Sequence, residues 1–227
     1  MLVSLLIPCR NATGWLPGFL PRLAGLHHTI FPAFPEIVFI DDASTDGTPR
    51  LLFHWAETAF LPVKVLGLDT HSGLGACLRE GVALASGELV AVCLTAESPL
   101  ESGLLPLIEA VAAGADVASG RAEVPFRTAV LSTAMRVRHR ISRDSALAMT
   151  SPFAVWRRDA LMDSLPAHDG LSAMFEAALR SEENGQRRVA IELPTKPVLS
   201  WNGGDWKAAQ WIARRPWAPI QGKSKRQ

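Results

Sequence analysis

The chain has 227 residues, with 23 Lys and Arg against 22 Asp and Glu, and a formal net charge of +1 gives it no global attraction to nucleic acid. Its length suits one sizeable α/β core with a small C-terminal subregion, and no apolar run approaches the roughly 20 residues that a membrane span needs. Three cysteines, Cys9, Cys77 and Cys93, are an odd number without framework spacing, so a disulfide scaffold is excluded and buried free thiols in a reducing compartment are expected.

Residues 3–8 read as a short apolar strand ending in Pro8-Cys9-Arg10-Asn11; residues 1–8 are too short for the apolar region of a signal peptide. A helix is expected over 16–26. A second strand, 36–40, then runs straight into Asp41-Asp42-Ala43-Ser44-Thr45-Asp46-Gly47-Thr48. Two carboxylates at the carboxyl end of a strand sit where open α/β sheets bind ligands. They can accept hydrogen bonds from ribose hydroxyls or a base N–H, while Ser44, Thr45 and Asp46 suit the cap of the next helix, 49–60. A capped turn with no ligand is the other reading of this string.

A third strand, 63–68, leads into His71-Ser72-Gly73-Leu74-Gly75-Ala76. A helix to residue 85 follows, with apolar positions at Leu74, Leu78, Val82 and Ala85. A fourth strand covers 89–94, a helix is expected over 104–113, and Asp116-Val117-Ala118-Ser119-Gly120 is a further strand. Strands and helices alternate to Gly120, which predicts a mostly parallel central sheet flanked by helices. After Arg121 the pattern changes: helices are expected over 130–141, 158–165 and 171–180, and a strand over 189–193.

The strings Ile7-Pro8-Cys9-Arg10-Asn11, Val38 to Thr48, His71 to Glu88 and Ala115 to Arg121 stand in one order and spacing. In that order they resemble the family 2 glycosyltransferases with the GT-A, or nucleotide-diphospho-sugar transferase, fold. Thr150-Ser151-Pro152-Phe153-Ala154-Val155-Trp156-Arg157-Arg158 looks like a stretch of the polyprenol-phosphate mannosyl- and glucosyltransferase branch. The resemblance implies a single domain over 1–220, with a nucleotide-binding half (1–121) and an acceptor half (122–220), before a basic tail, 221–227. It implies a cytoplasmic enzyme, peripheral to the inner membrane face in that branch, that moves a sugar from a nucleotide-sugar donor onto a hydroxyl or lipid-phosphate acceptor in cell-envelope synthesis.

Carried over residue by residue, the resemblance assigns nucleotide contacts to Pro8, Arg10, Asn11, Asp41, Asp42, Gly73 and Arg79. For Arg79 a solvated helix face is the alternative. The family's fourth strand ends in an Asp-x-Asp motif that holds Mg²⁺ or Mn²⁺ against the donor diphosphate. Here the position reads Thr95-Ala96-Glu97, so Glu97 is the one carboxylate left as a metal ligand, and Thr95 and Ala96 face the donor. The Glu-Asp pair that serves many inverting members as general base is replaced by Ala173-Met174, as the mannosyltransferase-like branch also lacks it. Asp169, beside His168, is the substitute base, with a helix-capping role as its alternative.

Arg136, Arg138, His139, Arg140 and Arg143 cluster after the core. Arg136 and Arg140 are candidates to grip a lipid phosphate or the donor diphosphate, against the alternative of a solvated face. Trp201, Trp206, Trp211 and Trp217, with Arg214 and Arg215, suit either a membrane interface or the cover of a sheet edge. Two further classes stay open. One is a non-catalytic relative that keeps the nucleotide pocket as a scaffold subunit, prompted by Thr95, Ala148 and Met174. The other, a dehydrogenase suggested by Gly73-Leu74-Gly75-Ala76, lacks the third glycine and follows the wrong strand.

Overall fold

A computed structural model describes residues 2–29, 34–94, 96, 98–120, 153–170 and 173–193. The expected helix over 130–141, Thr95, Glu97, Arg136, Arg140, residues 150–152 and the tryptophan-rich end lie outside them.

Seven strands form one sheet in the order β3-β2-β1-β4-β6-β5-β7. They are β1 (Leu2–Cys9), β2 (Phe34–Asp41), β3 (Val63–Gly67), β4 (Leu89–Cys93), β5 (Val117–Gly120), β6 (Phe153–Arg157) and β7 (Arg188–Ile191). All pairings are parallel except those of β6, which runs antiparallel between β4 and β5. The described helices are α1 (Leu16–Thr29), α2 (Thr48–Thr58), α3 (Leu74–Leu84), α4 (Leu100–Ala112), α5 (Arg158–Asp163) and α6 (Ala173–Glu183).

The period-two pleat sorts each strand onto two cores. Leu5 and Ile7 of β1, Ile37 and Phe39 of β2, Ala91 and Cys93 of β4, and Phe153 and Val155 of β6 face α1, α2 and α4. Leu6, Val38, Ile40, Val90, Val92, Ala154 and Trp156 face α3, α5 and α6. Both faces are covered, which is why these strands read as continuous apolar runs rather than as alternation. In α1 the buried residues Leu16, Phe19, Leu20, Leu23 and Leu26 recur at helical spacing, leaving Arg22 on the rim of that face.

Ser4 and Glu36 break the apolar pattern, and they pair. The Ser4 hydroxyl donates to Glu36 Oε2 at 2.5 Å, Ser86 N–H donates to the same oxygen at 2.9 Å, and Lys64 Nζ lies 2.5 Å from Oε1. Burial alone would raise the Glu36 carboxyl, but Lys64, Ser4 and Ser86 outweigh it and hold it below its ordinary value. This network ties β1, β2 and β3 to the α3–β4 turn at the end of the sheet away from the candidate site.

Chain direction reverses its march across the sheet at β1: β2 and β3 lie to one side and β4 to the other. Such a switch point opens a crevice outside the carboxyl ends of the strands. The α4 helix starts at Leu100, a turn before the expected 104, and Glu101 in its first turn pairs with Arg22.

Candidate active site

The loops after β1 and β2 are hydrogen-bonded into one rim. Asn11 N–H donates to Ser44 Oγ at 2.9 Å, and Thr45 N–H donates back to Asn11 Oδ1 at 2.9 Å. Ala12 N–H donates to Thr48 Oγ1 at 2.6 Å, and the Thr13 hydroxyl donates to Asp46 Oδ2 at 2.8 Å. Hydrogen bonds from Thr48 and then Thr13 pull the Asp46 carboxyl down to about 2. Asp46 also receives Thr48 N–H at 3.0 Å, so it serves the first turn of α2 while Ser44 and Thr45 are used across the loops. Two non-glycine residues in this rim, Asn11 (φ 48°) and Ala43 (φ 50°), have left-handed backbones, conformations that cost roughly 1–2 kcal/mol and concentrate at functional loops.

Asp41 and Asp42 divide the work. Asp41, 4% exposed, closes the β2–α2 turn on itself: its carboxylate accepts from the Ser44 hydroxyl and from Ser44 N–H. Asp42, 6% exposed, reaches across to the loop after β3, accepting Ser72 N–H at 2.7 Å and Gly73 N–H at 2.9 Å. His71 Nδ1 stands 2.7 Å from the same carboxylate, with the imidazole half exposed. A carboxylate offers about four lone-pair sites, so Asp42 holds the 71–73 loop with three of them. His71 therefore belongs to the site by geometry, although its residue type alone carried no such signal.

Gly73 and Gly75 are required by a close approach. Gly73 has φ 89°, and a Cβ on it or on Gly75 would collide with the main chain of Asp169 or His168. Gly75 N–H donates to the Asp169 carbonyl at 3.2 Å. The 166–169 loop thus lies directly on the first turn of α3. Arg79, one turn on, donates to the Pro166 carbonyl at 2.8 Å and pairs with the Asp169 carboxylate. Arg79 is a tether for this loop rather than a free solvated face, and Asp169 is engaged by Arg79 while half exposed.

The same loop is gripped from α6 by Glu176, whose side chain is 1% exposed. It accepts Ala167 N–H and His168 N–H at 3.1 Å each, lies 3.0 Å from His168 Nδ1, and pairs with Arg180 at 2.8 Å. Burial would raise this carboxyl, but the donors from Ala167, His168 and Arg180 prevail and lower it. Glu176 could be placed on a helix from sequence. Its inward turn onto a loop eight residues earlier could not.

All three cysteines are buried and unbridged. Burial, with Asp41 next in importance, pushes the Cys9 thiol up to about 12; burial, followed by Asp42, does the same for Cys77. These groups pack the site's floor and are not nucleophiles.

Pro8 and Asp41 at strand ends, Arg10, Asn11, Asp42, Gly73, Ala96 and Asp169 on the loops, and Arg79 within α3 are brought by this geometry to one end of the sheet. Among the described residues no three His, Cys, Asp or Glu side chains gather as a cation cage. The Ala96 carbonyl accepts from Arg22 at 2.5 Å, and Thr95 and Glu97 on either side of it lie outside the described residues. By residue type, a hydroxyl and a carboxylate are oxygen donors of the kind Mg²⁺ or Mn²⁺ takes when a diphosphate and water supply the remaining oxygens.

An open α/β sheet with its polar loops at this switch point is the architecture of a ligand-binding α/β protein, with the ligand at the carboxyl ends of the strands. The profile described as Glycosyl transferase family 2 matches residues 4–161, and the chain belongs to that family of glycosyltransferase enzymes. An uncharacterized glycosyltransferase of Mycobacterium tuberculosis is 27% identical over 207 residues, covering 86% of this chain and 85% of the relative. An undecaprenyl-phosphate 4-deoxy-4-formamido-L-arabinose transferase of Pseudomonas paraeruginosa is 34% identical over 117 residues, 51% of this chain and 34% of that protein. Among solved structures, a mannosyltransferase of Pyrobaculum calidifontis in complex with GDP-Man and Mn²⁺ superposes with TM-score 0.69 at 19% identity, over 96% of this chain and 65% of that one. Glucosyl-3-phosphoglycerate synthase of Mycobacterium tuberculosis, with Mn²⁺, UDP and glucosyl-3-phosphoglycerate, gives 0.71 at 15% identity over 93% and 77%. These likenesses establish the GT-A fold. The chain spans about two thirds of the mannosyltransferase's length.

Proposed function

We propose that this protein transfers a sugar from a nucleotide-diphosphate sugar to a lipid-phosphate or hydroxyl acceptor. The observation that carries the reading is the rim itself: loops after β1, β2 and β3 are locked together around Asp41 and Asp42 at the switch point. The nucleoside sits over Pro8, Arg10, Asn11 and Gly73, with the two carboxylates and Arg79 beneath. Support for the donor class comes from relatives of the same fold that carry GDP-Man or UDP, and support for a lipid-linked acceptor from the undecaprenyl-phosphate transferase.

A divalent cation at Thr95 and Glu97 would neutralise the leaving diphosphate. The chain's own part is to hold the donor still and shield its charge. With a hydroxyl acceptor, Asp169 is the group in reach of the 166–169 loop to take the proton, once Arg79 shifts to the diphosphate. A phosphate acceptor is ionised at neutral pH and attacks without a base, which accords with Ala173-Met174 in place of a carboxylate pair. Arg136 and Arg140 then contact the lipid phosphate at the inner membrane face, the acceptor side of a cytoplasmic enzyme of cell-envelope synthesis. None of the described helices is long and apolar enough to cross a membrane, so such contact is peripheral in this reading.

Calorimetry with UDP and GDP, with and without Mn²⁺, tests the donor site. Asp41→Ala and Asp42→Ala should each weaken nucleotide binding by about 1–3 kcal/mol, and unchanged affinity in both sinks the placement. A second reading rests on Thr95, which removes one expected metal ligand: a nucleotide-binding scaffold without turnover. If Thr95→Asp gains Mn²⁺ affinity but no turnover on any UDP- or GDP-sugar with polyprenyl-phosphate vesicles, the scaffold reading prevails. Loss of vesicle binding in Arg136→Ala with Arg140→Ala, greatest at low salt, supports the lipid contact.

A further inference from the structure

The sheet ends at β3, and among the described residues β3 pairs with β2 alone. The Pro62 carbonyl accepts Ile37 N–H and Leu68 N–H donates to the Asp41 carbonyl, so residues 62, 64, 66 and 68 turn their main-chain groups inward. Alternation then turns the N–H and C=O of Val63, Val65 and Gly67 outward along the open edge. Edge strands are commonly guarded by a charge, a proline or a bulge. The one charge in β3 is drawn onto its own sheet: Lys64 Nζ donates to Ser86 Oγ at 2.6 Å and to the Leu84 carbonyl at 3.0 Å, beside Glu36.

The α2 helix flanks this edge. Leu51 and Trp55 face the core, and the Trp55 ring meets Phe39 of β2 edge-on at 5.9 Å. Phe53, two residues from each of them, stands about 200° around the helix and so looks away from β2, past β3. It is 53% exposed, and Phe60 beyond the helix end is fully exposed. Arg50 and Glu57 lie on the same exposed stripe, at three and four residues from Phe53, and neither has an ion pair among the described residues. Their order runs against the helix dipole, with a cation in the first turn, an anion in the last, and no acid or base placed the other way. Within one chain that order is unfavourable. Against an antiparallel copy of the same helix, each charge meets its opposite.

We propose that α2 and β3 form the interface of a two-fold homodimer, in which β3 pairs antiparallel with β3 of a second copy and α2 packs against its counterpart. Edge, charges and helix spacing all agree with one axis. An axis through Val65 sets Val65 against itself and Val63 against Gly67 of the partner subunit, the hydrogen-bonded antiparallel arrangement, with about six bonds. The α2 helix and β3 each span about 16 Å side by side, so the same axis passes the middle of α2, near Phe53. That places Arg50 against Glu57 of the partner subunit and the reverse, the reciprocity of an isologous contact. Strands lie about 4.8 Å apart, so a helix over β2 and β3 stands about 5 Å from the axis and the two helices about 10 Å apart, the distance of packed helices. A second copy is the occupant because the strand edge and the charged stripe are each complementary to themselves. The donor crevices then open at opposite ends of one joined sheet, and one of them at a time faces a flat bilayer.

Sedimentation equilibrium of the full chain tests the proposal without reference to the donor chemistry. Over about 1 to 100 µM the mass should rise to twice the 24.5 kDa of one chain. Arg50→Glu and Glu57→Arg should each weaken the dimer about tenfold or more, because both symmetry-related pairs turn repulsive. The double variant, Arg50→Glu with Glu57→Arg, should return it to within about threefold of wild type. Both positions are exposed and each reversal agrees with the helix dipole, so thermal unfolding of the dilute monomer should not drop. Exchange of the Val65 amide should slow about tenfold between dilute and concentrated protein. A wild type that stays monomeric throughout overturns the proposal, and a Val65 amide protected in that monomer assigns the edge to another segment of the chain. A dimer that ignores the single reversals, is not restored by the double one, or leaves the Val65 amide exchanging freely uses a different surface and overturns it too.

Discussion

Replacing Glu176 with alanine tests whether one buried carboxylate holds the 166–169 loop in place. The substitution strands the Ala167 and His168 N–H groups, each unsatisfied donor costing about 1–3 kcal/mol. It also unpairs Arg180, which is about one third exposed and so recovers much of its loss from water. The expected destabilisation is about 3–5 kcal/mol, the range for removing one partner of a buried ion pair. Urea unfolding at pH 7 measures it as a drop in midpoint at unchanged slope. The pH dependence provides a second arm. Because the folded-state Glu176 carboxyl is lowered, its contribution is fully present above the unfolded value of about 4.3 and is lost as pH falls through the folded value. The gap between wild type and Glu176→Gln should therefore narrow below about pH 4.3. A loss under about 1 kcal/mol for Glu176→Ala, or a gap that widens in acid, refutes the argument.

Other expectations follow from single contacts. Gly75→Ala places a methyl against the His168 main chain and should displace the loop, costing about 1–3 kcal/mol in urea unfolding and weakening the Asp169–Arg79 pair; a loss below about 1 kcal/mol means the loop yields freely. Ala43→Gly should be neutral or stabilise by up to about 1 kcal/mol, because glycine removes the left-handed strain while adding freedom to the unfolded chain, and a clear loss in thermal unfolding contradicts this. A disulfide reagent at pH 8 should leave Cys9, Cys77 and Cys93 unmodified in the folded protein and titrate all three in denaturant; a fast native thiol would show that the site's floor opens.

Strands β1 to β4 were legible because apolar runs bounded by Pro, Gly and Asp leave few alternatives, and the order of the strand-end strings carried the fold. The Asp41-Asp42 pair was legible as a site by its place at a strand end. What it does in detail was not, since Asp42 turns to a loop 30 residues later in the chain and only the folded backbone brings Ser72 N–H to it. Arg22, His71 and Glu176 were missed for the same reason: their partners, Ala96, Asp42 and Ala167, are separated from them by other elements or lie behind them in the chain. Arg79 was read as a binder or a solvated face. The structure gives it the Pro166 carbonyl and Asp169, which no helical spacing specifies.

The antiparallel β6 has a consequence for how the chain is assembled. Among the described strands β5 pairs with β6 and β7, so as synthesis proceeds past Gly120 it has neither of these neighbours, and β4 lacks β6 along an edge whose five residues are all buried in the finished protein. The sheet closes only after residues 153–157 emerge and slide between them. The hydrogen bonds among the loops after β1, β2 and β3 join residues that precede Gly120, yet the surface beside them stays adhesive until that wedge arrives, a long-range pairing of the kind that slows folding. Expressing residues 1–120 alone as a minimal donor-binding module should therefore yield aggregate, and supplying the 153–193 segment on a separate chain should restore solubility.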